Sequence, residues 1–294
     1  MFGALRFIML SAIFFAFSAA VVSGNKGTVE SVFQPYADLL NRFLIERDLE
    51  NDGLESAFDY EKALAHEQTM ALLEEQDALL AEFDVAQLDT LEKAVAFWSN
   101  AYNYFMIAHI LRERPDDELV ESIWDYGGRF SPFRANIFER DLFTIGKHKY
   151  SLNDMEKSIL LGDEFAEKGW KEARVHFTVN CASVGCPPLR RQIYTAENID
   201  KLMTENTRRA LNTHRHLHRE GNTLYISELF KWYEDDYVEE EGSVKEFIKA
   251  YADDHVAEKV EASTRIHYID YDWSLNKPGN FPGFEEALGD RSGF

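Results

Sequence analysis

Basic residues are scarce in this sequence: 31 Lys and Arg stand against 52 Asp and Glu, a formal net charge of −21. A surface of that sign repels nucleic acid and anionic lipid head groups, so nucleic-acid binding is not expected. Cysteine is scarcer still. Cys181 and Cys186 are the only two, which allows one intramolecular disulfide at most. Internal repeats and low-complexity linkers are absent, which favours one large domain over two. No apolar run after Asn25 matches the one before it, so no membrane span is expected in the mature chain.

The first residues carry what the remainder lacks. Arg6 supplies one positive charge, residues 7–22 form an apolar run, and Ala19, Ala20, Ser23 and Gly24 offer small residues for cleavage. No acidic residue precedes Glu30. This order predicts a signal peptide over residues 1–24 and a secreted or periplasmic protein. An uncleaved N-terminal anchor is the alternative, and the lack of a nearby cysteine argues against a lipid anchor. The composition, 45% hydrophobic and 14% aromatic, supports a folded core rather than disorder.

Periodicity divides the rest. Residues 28–90 read as a helical N-terminal cap, with apolar residues at helical spacing over 29–44 and 69–83. Asp89 and Glu92 have capping-box spacing ahead of a helix that is apolar nearly all round and closes at Pro115, the expected core helix. Asn100 and Asn103 interrupt it on one face. Residues 141–152 predict a β-hairpin turning at Gly146 and Lys147, and Ser151 is placed to cap a short helix through Leu161. Residues 175–179 predict a strand that ends in an irregular loop over 180–189, whose Gly185, Pro187 and Pro188 exclude regular structure. Helices are expected over 195–211, around Trp232 and Tyr233, and after Ser243, with strands at 223–226 and 265–271. The scattered strands favour an α+β fold, one predominantly helical domain around a small, mainly antiparallel sheet. Its core is expected over 91–276, with 277–294 as a tail.

The run Phe97-Trp98-Ser99-Asn100-Ala101-Tyr102-Asn103 resembles the FWxNxYN signature of the family catalogued as domain of unknown function 547. Tyr150-Ser151-Leu152 with Asp154 and Glu156, and His176-Phe177-Thr178-Val179-Asn180-Cys181-Ala182-Ser183 leading to Cys186-Pro187-Pro188-Leu189, are similar to further elements of it. So are Phe230-Lys231-Trp232-Tyr233 with Asp236, and Tyr271-Asp272-Trp273-Ser274-Leu275-Asn276. Lys157 stands where the family often has His, and Tyr237 where it has Phe. The resemblance implies a fold and a motif set, not a reaction.

Three chemistries compete for these residues. Cys181 and Cys186 can form a local disulfide in an oxidising compartment, holding the Pro187-Pro188 loop in shape. Cys181 can instead be a nucleophile with His176 as its base, although five residues of continuous strand would turn the two to opposite sides unless the chain bends at Asn180. In that reading Asn100 or Asn103 orients the base or stabilises an oxyanion; in the plainer one they tie the helix to neighbouring backbone. The cysteines and His176 do not have the spacing of a standard zinc site. His214, His216 and His218 read as a solvated loop, and no metal or other cofactor is expected. Glu156, Tyr233, Asp236 and Asp272 are further candidates from the motifs, Asp236 being the member of an otherwise solvated acidic run expected to face inward. The sequence favours a binding or structural module for an extracytoplasmic protein, peptide or glycan ligand. A Cys/His-dependent hydrolase or transferase acting on an amide or ester is the alternative.

Overall fold

The computed structural model describes residues 28–127 and 135–284; the expected signal peptide lies outside them, as does the end of the tail. Its organising element is a helix whose sequence leaves no side for water. That helix, α5 (Leu91–Arg112), buries every residue from Ala94 to Leu111. Thr90 caps it by accepting from the Lys93 N–H, while Asp89 pairs with the Lys93 ammonium at 2.7 Å. The cap thus falls one residue later than the Asp89–Glu92 spacing suggests.

The segment before α5 is less helical than its periodicity indicates. Helices α1 (Val29–Val32) and α2 (Gln34–Phe43) are separated at Phe33, and α2 runs straight into a hairpin of β1 (Leu44–Asp48) and β2 (Leu54–Phe58). The hairpin's strands are short and partly polar, so alternation is weak, and its Asn51-Asp52-Gly53 turn is the main signal for it. Helices α3 (Tyr60–Ala65) and α4 (Thr69–Glu82) complete the segment. Val32, Phe33, Tyr36 and Leu73 share one hydrophobic cluster with α5, so α1, α2 and α4 pack into its core, while Ile45 and Ala57 of the hairpin join a small cluster with Val184, Phe281 and Phe284.

The hairpin β3 (Phe143–Ile145) and β4 (His148–Tyr150) turns at Gly146 and Lys147 as predicted, both with positive φ (53° and 71°). That pair of signs suits the right-handed twist of a two-residue hairpin turn. Gly146 has a second reason to lack a side chain, since a Cβ would lie 2.7 Å from the Phe83 carbonyl oxygen. A π-helix follows over Asp154–Leu160, its entry tied by reciprocal hydrogen bonds between Ser151 and Asp154. It leads through α6 (Asp163–Glu167) to residues 173–177.

There the structure corrects the expected strand over 175–179. Ala173–Phe177 is a 3₁₀ helix. Four consecutive side chains, Val175 to Thr178, are buried, and the tight turn of a 3₁₀ helix aims them in different directions. Val175 enters the core around α5, whereas Phe177 enters a second cluster with Phe230, Tyr237 and Phe247.

The second cluster is built by α7 (Ile199–Leu211), β5 (Leu217–Glu220), β6 (Thr223–Ser227), α8 (Leu229–Trp232), α9 (Glu234–Glu241), α10 (Val244–Tyr251), α11 (Asp254–Glu261) and β7 (Arg265–Ile269). Strand β6 pairs antiparallel with β5 and parallel with β7. The strands among the described residues therefore form three small sheets within a mainly helical α+β domain. Among the described residues no helix is long and apolar enough to cross a membrane.

Two polar features hold the interior in register. The Asn100 amide clamps Tyr194, donating to its carbonyl (2.7 Å) and accepting from its N–H (3.0 Å). Asn103 does the same one turn on, donating to the Thr178 carbonyl (2.8 Å) and accepting from the Asn180 N–H (2.7 Å). Of the three histidines read as a solvated loop, His214 and His218 stack at 3.7 Å, but His216 is buried, 2.7 Å from the Thr213 hydroxyl.

Asn103→Ala leaves two buried backbone groups without partners. A loss of about 1–3 kcal/mol each is expected, read as a lower urea midpoint; an unchanged midpoint contradicts the clamp. Burial pushes the His216 imidazole down to about 3, with Arg215 adding to the effect. The unfolded ring protonates near 6.5, roughly, so its stabilisation is complete above that pH and is lost as pH falls toward the folded value. Wild type should lose about 1–2 kcal/mol more than His216→Gln between pH 7 and pH 5. Parallel acid limbs for the two proteins would refute the assignment.

Candidate functional site

The two clusters meet at a cavity of about 580 Å³, within the usual range for a small-molecule site. The segments singled out in the sequence converge on it. Tyr102 comes from α5, Glu156 and Lys157 from the π-helix, His176 from the 3₁₀ helix, and Cys181 and Cys186 from the loop that follows. Trp232 and Tyr233 from the end of α8 and Tyr271 and Trp273 from the C-terminal segment close the other side.

His176 sits at the seam and is held from two directions. Its Nε2 lies 2.8 Å from Asp236 Oδ2, and the other carboxylate oxygen takes the Lys171 ammonium at 2.9 Å. Burial opposes ionisation of Asp236, but the hydrogen bonds to His176 and Lys171 outweigh it and hold the carboxyl below its ordinary value. The Tyr233 ring stacks on the imidazole at 3.9 Å, and its hydroxyl donates to Glu156 at 2.7 Å. Burial and the Glu156 carboxylate push the Tyr233 hydroxyl far up, so it remains a donor. Asp236 thus fixes the imidazole edge, and the Glu156–Tyr233 pair fixes its face. The side chain is 1% exposed, and its Nδ1 makes no hydrogen bond.

The cysteine loop is laid down on the C-terminal segment. Val184 N donates to Ser274 O, Gly185 N to Asp272 O and Asn276 N to Ala182 O. Gly185 permits this contact: a Cβ there would come within 3.0 Å of the Tyr271 ring. Asn180 secures the start of the loop, donating to the Pro187 carbonyl and accepting from Ala182 N and Asn276 Nδ2. The result brings two free thiols together, with Cys181 Sγ 2.7 Å from Cys186 Sγ. The Tyr271 hydroxyl is 3.3 Å from the first sulfur and donates to the second at 3.1 Å.

These contacts split the thiols electrostatically. Burial pushes Cys181 up, but its contacts with Cys186, Tyr271 and Ser183 prevail and hold the thiol below its ordinary value. Burial, the hydrogen bond with Cys181 and that neighbour's charge push Cys186 well above. Cys181 is the partly exposed member and Cys186 the buried one. Cys181 and His176 face the same cavity, but Cys181 hydrogen-bonds to Cys186, Tyr271 and Ser183 rather than to His176.

The remaining sequence candidates fall elsewhere. Asn100 and Asn103 do not line the cavity, and their amides are occupied by the clamps on Tyr194 and the 178–180 backbone. Asp272 is exposed, caps the Ser274 N–H at 2.9 Å and holds the loop through its carbonyl. Lys171 and Tyr271 are the contributors that sequence reasoning passed over. Tyr271 was within reach, because it stands in the same motif as Asp272, whereas nothing near Lys171 marks it. Among the described residues no group of three or more His, Cys, Asp or Glu could hold a metal ion.

Rates of iodoacetamide alkylation against pH should show Cys181 reacting at lower pH than Cys186. Tyr271→Phe removes a donor from the sulfurs and should move the Cys181 midpoint upward; a midpoint that stays put would show that Tyr271 does not tune this thiol.

Residues 85–210 match the family described as Protein of unknown function, DUF547. No curated protein and no solved structure matches the chain. The matched segment contains α5, the π-helix, His176 and both cysteines, and it is over this segment that the chain resembles the DUF547 family.

Proposed function

We propose that the protein is a thiol-dependent hydrolase or transferase acting on an amide or ester outside the cytoplasm. One observation carries this reading: Cys181 shares a cavity with His176, a histidine whose ring is fixed by Asp236 at 2.8 Å and whose Nδ1 is unbonded. With Asp236 accepting at Nε2, the neutral ring carries its proton there and offers the Nδ1 lone pair as a base.

The chemistry then follows a thiol acyl-transfer sequence. Cys181 turns from Cys186 toward His176 by a side-chain rotation and gives its proton to Nδ1. Its sulfur attacks the substrate carbonyl, and the displaced electron pair rests on the carbonyl oxygen. Tyr271 is the hydroxyl donor nearest the sulfur, and burial together with the charges of both cysteines pushes its own ionisation well up, so it keeps its proton for that oxygen. As the intermediate collapses, the C–N or C–O bond breaks and His176 returns the proton to the leaving amine or alcohol. Water, or an acceptor amine or alcohol, then attacks the thioester while giving His176 a proton, and as the C–S bond breaks that proton returns to Cys181.

A second reading, a non-catalytic module for a peptide or glycan, has its own support. Trp232 and Trp273 stack at 5.6 Å, Tyr271 packs on both, and Trp124 continues the wall at 5.0 Å from Trp273. Trp232 is 36% exposed. Such a wall offers large, rigid contact area to a ligand in either reading.

The test is covalent labelling by an acyloxymethyl ketone probe together with turnover of p-nitrophenyl acetate. Cys181→Ala should abolish both, and His176→Ala should lower both by about 100-fold or more. Normal turnover in Cys181→Ala would end the catalytic reading. Labelling of Cys181 that ignores His176 would leave the binding module.

A further inference from the structure

We propose that Cys186 is a resolving thiol for Cys181, and that a reversible disulfide between them turns the site off. The regulatory consequence rests on the catalytic reading above; the thiol chemistry does not. The two sulfurs lie 2.7 Å apart without a bond, on the wall of the cavity. The backbone is already shaped to hold them there. Cys181 N donates to Cys186 Sγ at 3.0 Å, and Ala182, the residue after Cys181, adopts a left-handed φ of 60°. A non-glycine residue in that conformation is costly, and it persists only where its surroundings enforce it. Here they are the Asn180 carbonyl oxygen of the side chain on Ala182 N, and Asn276 N on the Ala182 carbonyl.

Burial assigns the order of events. Both cysteines line the cavity, but Cys181 is partly exposed and Cys186 is buried, so an incoming oxidant meets Cys181 first. With a low-molecular-weight disulfide such as oxidised glutathione, the Cys181 thiolate attacks one sulfur, forming a mixed disulfide and releasing one glutathione thiolate. Cys186 then attacks the Cys181 sulfur, its proton passing to the second departing glutathione thiolate. The protein loses two protons and two electrons, and one oxidised glutathione takes them up to become two reduced ones. Reduced glutathione runs the same steps backward. In the oxidised form the Cys181 sulfur has no proton to give His176 and no lone thiolate for attack, so an exported enzyme would rest latent and wake on contact with a thiol reductant.

The experiment is equilibration of the full-length mature protein in glutathione buffers of graded ratio, with intact mass and turnover of p-nitrophenyl acetate read from the same samples. Wild type should pass to a species lighter by two hydrogens, carrying no glutathione, and return on reduction. Cys186→Ser should stop as a stable glutathione adduct on Cys181, and Cys181→Ser should stay unmodified at Cys186. Wild type that accumulates the adduct, or Cys181→Ser that is modified at Cys186, would overturn the assignment. The two readings separate cleanly. A complete thiol cycle with turnover untouched removes the off-switch and the catalytic role of Cys181 together. Failure of the cycle, with turnover still lost in Cys181→Ala, removes the resolving role and leaves the catalytic reading standing.

Discussion

The side-chain amide of Asn103 leaves α5 and takes hold of both sides of Val179, the Thr178 carbonyl and the Asn180 N–H. Everything at the cavity is measured from that grip. Upstream of it the chain has just presented His176 from a 3₁₀ helix; downstream, Asn180 passes the constraint on through its own amide to Pro187, Ala182 and Asn276. Asn276 in turn accepts from the Tyr60 hydroxyl at 2.9 Å, which ties the loop to the N-terminal segment. A chain of buried amides of this kind is expensive if any member is left unpaired, and for that reason it specifies one arrangement.

The position of His176 at the seam between two hydrophobic clusters explains why so many charged and polar groups are gathered around one ring. A buried imidazole needs at least one nitrogen bonded and a face covered to hold one orientation. Asp236 with Lys171 does this from the second cluster, and Tyr233 with Glu156 links that cluster to the π-helix. The same contacts that hold the two halves together therefore orient the ring, so the stability of the seam and the orientation of His176 draw on one set of side chains.

Much of this was legible in the sequence, and the failures have local causes. Helix α5 was plain because nothing else explains a continuous apolar run with a cap before it and a proline after it. The β3–β4 hairpin was plain because Gly146-Lys147 demands a turn. The β1–β2 hairpin was lost because a short, half-polar strand directly continuing a helix leaves no period to read. The strand expected at 175–179 failed for another reason: β-branched and aromatic residues signal burial as much as extension, and here Val175 and Val179 enter one cluster while Phe177 between them enters another. The motifs located the cavity's residues but not their roles. Asn100 and Asn103 look the same in sequence whether an amide meets substrate or backbone, and only three dimensions distinguish the two. Tyr271 was overlooked beside Asp272 because a tyrosine in an aromatic-rich motif reads as packing until its hydroxyl is placed against a sulfur.

The seven-residue π-helix at Asp154–Leu160 has a consequence for how this site tolerates change in length. A π-helix is a wider coil than an α-helix and is easily relaxed to one by shortening. Removing a single residue here would let the shorter segment pair as an α-helix. It would, however, change the turn per residue across the segment and re-aim the side chains within it, Glu156 among them. Glu156 would leave Tyr233, and the face of His176 would lose its clamp while the ends of the segment stayed where they are. The width of that coil is thus a length gauge: it makes the spacing between Ser151 and Leu160 a chemical quantity as well as a structural one.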